Sequence, residues 1–150
     1  MKRLFPRLVL ALGMVGAVGL CASPPGAEAE IRKLLADQVS AWNRGDVRGF
    51  MQGYWQSSQT TFSGANGTLR GWQAVFDRYS REYPNRQARG ALAFSHLEII
   101  VLTPDAALVC GEWALARASD HPSGVFTLVL RKLPEGWRII HDHTSAVSRQ

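Results

Sequence analysis

The sequence predicts an α+β domain in which helices come first, strands follow, and the helices cover one face of an antiparallel sheet. Three observations predict it. Apolar residues recur at helical spacing as far as Tyr79, and beyond Gly90 they gather into four β-rich runs. The links between those runs include turn-forming clusters, Thr103-Pro104-Asp105 and Pro134-Glu135-Gly136, short enough to pair consecutive strands antiparallel.

Ahead of this domain, Lys2, Arg3 and Arg7 precede an uncharged run from Leu8 to Leu20, and a small-residue site follows at Ala27-Glu28-Ala29. Charge, apolar run and cleavage site stand in the order of a secretory signal. Residues 1–29 are therefore read as a cleavable signal peptide and residues 30–150 as one domain, which places the mature protein in the periplasm or outside the cell. The apolar run is too short to span a bilayer, so no membrane association is expected after cleavage. A lipoprotein anchored through Cys21 is the rival, and the bulky Leu20 before that cysteine stands against it.

Loss of Lys2, Arg3, Arg7 and Glu28 lowers the formal charge from +5 to +3. The remaining cations are scattered without a basic block, which argues against a nucleic-acid partner. Cys110 is left without a second cysteine, so no internal disulfide can form. It reads as a buried apolar thiol or as a reactive one, and no signature around it marks a nucleophile.

From Glu30 to Asn43, Ile31, Leu34, Leu35, Val39 and Trp42 share one helical face. Gly45 suits the left-handed stop, and Asp46 is placed to cap a short second helix bearing Val47, Phe50, Met51 and Tyr54. A short strand is expected near Thr60 to Phe62, then a turn at Gly64, Asn66 and Gly67. A third helix carries Trp72, Val75, Phe76 and Tyr79 until Pro84 ends it. The strands are expected at Ala91–Leu102, Ala106–Ala116, Val125–Lys132 and Trp137–Ser145, with Arg117 to Gly124 as a longer polar loop. Neither face of the central strands is properly polar: Phe126, Leu128 and Leu130 alternate with Val125, Thr127 and Val129. Helices cover one face, and a second copy packed sheet on sheet is the expected cover for the other.

Several stretches resemble a known group. They are Ala41-Trp42-Asn43-Arg44-Gly45-Asp46, Phe50 to Trp55, Leu69-Arg70-Gly71-Trp72, Phe126 to Val129 and Gly136 to Ser145. In this order they resemble the domain-of-unknown-function 4440 group of the nuclear-transport-factor-2-like, SnoaL-like superfamily. The resemblance implies a curved antiparallel sheet wrapped around helices as a cone with an internal pocket, dimerised through the sheet. It implies no single activity, since relatives include isomerases, cyclases, dehydratases, association domains and binding proteins. Aligned without gaps through Gly45-Asp46, the oxyanion tyrosine of ketosteroid isomerase falls on Gln38 and its base aspartate on Phe62. Neither side chain can replace its counterpart, which disfavours steroid isomerisation.

Among candidate chemical groups, His141 and His143 stand two apart on a strand and share a face, about 7 Å apart along it, with Asp142 on the other face. Two imidazoles make either an acid/base pair or hydrogen-bonding groups of a partly polar pocket. A metal would need a third ligand from another strand, such as His96, Glu98 or Glu112, and none is expected. No Gly-rich phosphate loop follows a strand, so no cofactor is expected either. The catalytic candidates are His143, His141 and Glu112, and the ligand-binding candidates are Tyr54, Trp55, Arg70, His96, Trp113 and Asp142. Tyr79 and Tyr83 read as core residues or as part of the mouth, and the Arg70-Gly71-Trp72 turn offers helix N–H groups to an anion.

Two functions are compatible with these residues. One is an exported dimeric pocket protein for a small, partly apolar molecule, with binding alone or cofactor-free acid/base catalysis of the isomerase, cyclase or dehydratase kind. The other is an association or accessory module that uses its sheet face for oligomerisation and has no substrate.

Overall fold

The computed structural model describes residues 26–147. The first helix, α1 (Ala27–Arg44), buries Ile31, Leu35, Gln38, Ala41 and Trp42 along one stripe. It starts three residues before Glu30, inside the expected cleavage site; residues 1–25 of the expected signal peptide lie outside the described residues. Gly45 ends it at φ 88°, with Gly45 N–H donating to the Trp42 carbonyl and Asp46 N–H to that of Ala41. This paired closure needs a left-handed residue, which glycine takes without strain. Asp46 then caps α2 (Val47–Met51), its carboxylate accepting from Gly49 N–H at 2.7 Å.

A hairpin of β1 (Thr61–Gly64) and β2 (Gly67–Arg70) follows. The sequence pattern showed only a turn where β2 lies, because a four-residue edge strand with one half-buried side chain has too little apolar alternation to be seen. The next helix, α3 (Trp72–Glu82), buries Trp72, Val75 and Tyr79, and Tyr83-Pro84 ends it. A further turn of helix, α4 (Arg86–Arg89), precedes the long strands.

Those strands are β3 (Ala91–Thr103), β4 (Ala106–Ala116), β5 (Ser123–Leu133) and β6 (Gly136–Ala146). They form an antiparallel meander within one six-stranded sheet of order β2-β1-β6-β5-β4-β3. The sheet is mixed, and this corrects the fully antiparallel expectation: β1 runs parallel to β6, with Phe62 opposite Asp142. Parallel pairing needs a long connection, and α3, α4 and four strands intervene between the two.

Bulges bend the sheet into a cone, and two of them lie within the long strands away from the turns. In β3 the register slips between Ser95 and Glu98, with His96 in the left-handed region at φ 50°. In β6, Leu130 faces Ile139 but Val129 faces His141, so Ile140 is an extra residue. On the concave side Gly111 makes room: a Cβ there would lie 2.6 Å from the Phe126 ring and 2.8 Å from Leu97. The narrow end is filled by Ile31, Leu35, Val109, Leu130 and Ile139, all at most 1% exposed. Asn43 ties α1 to the sheet by accepting from Leu92 N–H and donating to the Leu92 carbonyl, at 2.7 and 3.1 Å.

Candidate functional site

At the wide end the cone remains open as a cavity of about 360 Å³, within the usual size range for a small-molecule site. Its walls are aromatic and aliphatic, with Trp42, Phe62, Tyr79, Trp113 and Phe126 among them. Among the polar residues of the lining, Asp142 is a carboxyl only 3% exposed. Tyr54 Oη donates to its Oδ2 at 2.6 Å and Thr144 Oγ1 to its Oδ1 at 2.7 Å.

The β6 bulge puts Asp142 there. Upstream of it, odd-numbered Trp137 and Ile139 face inward; after the extra residue Ile140, even-numbered Asp142 and Thr144 do. Without that insertion His141 and His143 would share the inward face with Ile139.

Burial pushes the Asp142 carboxyl above the ordinary carboxylate range, opposed by the donors Tyr54 and Thr144 and by the positive charges of His141 and Arg78. Tyr54 is raised well above a normal phenol, first by burial and then by the Asp142 charge, so it remains a donor. The Tyr79 phenol is raised for the same two reasons. The result is a carboxyl disposed to take or release a proton inside an apolar space, held by neutral hydroxyl donors.

Of the expected site residues, Tyr54, Trp113 and Asp142 line this cavity. Trp113 is oriented by its indole N–H, which donates to the Ser145 carbonyl at 3.1 Å. The other candidates lie elsewhere. His141 is on the convex face with Nδ1 2.7 Å from Thr61 Oγ1, and His143 is exposed there. Glu112 is also convex, its Oε2 3.0 Å from Nδ1 of His96. Trp55 is outside the cavity lining and binds Ile139 through its backbone N–H, while Arg70 is exposed at the end of edge strand β2. The N–H groups of Gly71 and Trp72, which open α3, are taken by the carbonyls of Thr60 and Ser57 rather than left for an anion. Cys110 is half-buried on the convex face, 3.9 Å from Thr127 Oγ1.

Gln38 and Phe62, the positions matched to the isomerase groups, do stand in the cavity wall. The place is right and the chemistry is absent. Among the lining residues that the sequence does not mark are Arg78, which looks like any solvated helix cation, Thr144 and Phe126. A periodicity of 3.6 from Tyr79 places Arg78 off the buried stripe, and only the β1 neighbour Phe62 draws its long side chain inward, 4.3 Å from guanidinium to ring centre. Among the described residues no group of three or more His, Cys, Asp or Glu is arranged to hold a metal ion.

A cone of helices on a curved sheet with a pocket at its wide end is the architecture of the NTF2-like superfamily. The chain belongs to the SnoaL-like domain family, whose model matches residues 31–149. The narrower domain-of-unknown-function 4440 group is not what that match identifies. Among solved structures, an NTF-2 like protein of unknown function from Shewanella oneidensis is 40% identical, with a TM-score of 0.75 over 79% of this chain and 98% of that one. An NTF2-like superfamily protein from Salmonella enterica is 22% identical, TM-score 0.65, covering 83% and 93%. A ketosteroid isomerase-like protein from Erwinia carotovora atroseptica is 17% identical, TM-score 0.64, covering 81% and 96%, and at that distance shares the fold alone. No curated protein matches the chain.

Proposed function

We propose that this is an exported, dimeric pocket protein that binds a small, flat, largely apolar molecule and exchanges a proton with it through Asp142. The observation that carries this is the buried Asp142 carboxyl, held by Tyr54 and Thr144 inside a cavity walled mainly by aromatic and aliphatic side chains. A buried carboxyl costs stability unless it is well partnered, and its raised pKa suits general acid/base work. The proposal moves the proton chemistry from His141, His143 and Glu112 to Asp142, with Tyr54 as the donor that steadies the carboxylate.

β-Tetralone, a flat apolar ketone with acidic C–H groups, tests it. Binding is read by quenching of tryptophan fluorescence, and proton exchange by loss of the α-proton NMR signal in deuterium oxide. The expected result is binding with accelerated exchange, the acceleration falling at least about a hundredfold in Asp142→Asn, within the usual range for a general base. Binding without exchange overturns the catalytic part, and absence of both overturns the pocket reading.

Support for the dimer comes from the convex face. Ile100, Leu102 and Val125 are 40%, 60% and 51% exposed, and one cross-strand row there runs Ile100, Leu108, Val129. A second copy laid sheet on sheet covers them; sedimentation should give a dimer for the wild type and a monomer for Val125→Lys. Export rests on the order of features in residues 1–29. A mature chain beginning near Glu30 supports it, and one beginning at Met1 or lipidated at Cys21 overturns it.

A further inference from the structure

We propose that the cavity is selective for organic anions, and that Arg78 at its mouth holds the carboxylate or sulfonate of a flat apolar ligand. This rests on the cavity being a binding site, as argued above. Arg78 lies on α3, yet its side chain is only 23% exposed and its guanidinium sits 4.3 Å from the centre of the buried Phe62 ring and 5.4 Å from that of Tyr79. It is therefore part of the lining and not of the solvated helix face. Glu82, one turn on, holds Nη2 at 3.0 Å. A guanidinium carries five N–H donors in a planar fork, so the Glu82 pair fixes the group in place and leaves donors for a second acid.

The surrounding charge favours the same sign of ligand. Arg81 joins Arg78 in the lining, where Glu82 is already paired with Arg78, and Arg117 reaches the ring of the lining residue Tyr83 at 6.0 Å. A cation entering here meets like charge at the mouth, and Arg78 already occupies the Phe62 face that a cation would seek. An anion meets a partly desolvated guanidinium, where a charge-assisted hydrogen bond is stronger than at an open surface. Deeper in, Asp142 is shifted toward its neutral form, which lessens its repulsion of an anionic ligand.

Two dyes with nearly the same body test the inference: anilinonaphthalene sulfonate, and phenylnaphthylamine, which lacks the sulfonate. Dissociation constants come from dye fluorescence. Ala146→Trp, at the cavity lining, serves to obstruct the cavity while leaving the convex face unchanged. The expected result is that the sulfonated dye binds at least about tenfold more tightly than the neutral one. Arg78→Met should bring that ratio to about one, Arg78→Lys should leave an intermediate preference, and Ala146→Trp should abolish binding of both dyes. Equal affinity in the wild type overturns anion selectivity and leaves the pocket reading intact. A ratio unchanged in Arg78→Met shows that another group holds the anion and overturns the assignment. Binding that persists in Ala146→Trp, or no binding at all, removes the cavity as a site and the inference with it. Circular dichroism and the melting temperature establish that each variant is folded, and Arg78→Lys tests the charge should Arg78→Met not fold.

Discussion

On the concave side of β6, Asp142 and Thr144 share a hydrogen bond within an aromatic cavity, whereas one residue away on the convex side His141 meets Thr61 and His143 meets solvent. The two sides differ in dielectric more than in residue type. Inside, a carboxyl is raised by burial and tethered by hydroxyl donors. Outside, the polar groups stand among exposed Ile100, Leu102 and Val125, a composition suited to covering by another surface. What separates these environments is one inserted residue, Ile140, and its effect is to invert which side chains the strand offers to the cavity.

The largest difference between the faces should be in stability. Leu130→Ala, at the closed end of the concave side and 0% exposed, is expected to cost about 2–5 kcal/mol through lost burial and the cavity left behind. Val125→Ala, half-exposed on the convex side, should cost no more than about 0.5 kcal/mol in monomeric protein. Urea denaturation at low protein concentration measures both, and comparable losses would remove the distinction.

Asp142→Asn should have a smaller effect of the opposite sign. A carboxyl whose pKa is higher in the folded than in the unfolded chain favours folding most when protonated, below the ordinary carboxylate range. That contribution is lost as pH rises through the folded value, and above that value the buried charge is a burden. Asp142→Asn removes it, and is expected to raise Tm by a few degrees near neutrality while abolishing the acceleration of tetralone exchange. The Tm difference from wild type should shrink as pH falls toward the carboxylate range. A destabilised Asp142→Asn at every pH would show that the hydrogen bonds outweigh the desolvation.

The smallest expected change is at His143→Ala: stability within about 0.5 kcal/mol and unchanged tetralone binding, because an exposed convex side chain touches neither core nor cavity. Loss of binding in that variant would place the histidine face, and not Asp142, at the site.

Much of the fold was legible residue by residue. The stripe Ile31, Leu35, Trp42 marked α1, Gly45 and Asp46 marked the joint to α2, and β4 has the same bounds, Ala106–Ala116, that its pattern predicts. The site was less so. Tyr54, Trp113 and Asp142, which the sequence offers as ligand-binding candidates, line the cavity, whereas His141, His143 and Glu112, its catalytic candidates, face away from it, since residue types in an apolar strand do not say which way each side chain faces. Arg78 was invisible because its role depends on Phe62, a neighbour contributed by another element.

The sequence by itself determined the elements and their order, because helix caps and the periods of 3.6 and 2 are local properties of a chain. It also determined that apolar residues outnumber what one sheet face can bury. Only the tertiary structure decided the parallel entry of β1 beside β6 and the bulges, and through the bulge in β6 which of His141, Asp142 and His143 enters the cavity. A bulge is set by the pairing of distant strands, Leu128 with Asp142 and Val129 with His141, and shifting one residue there reverses every face beyond it.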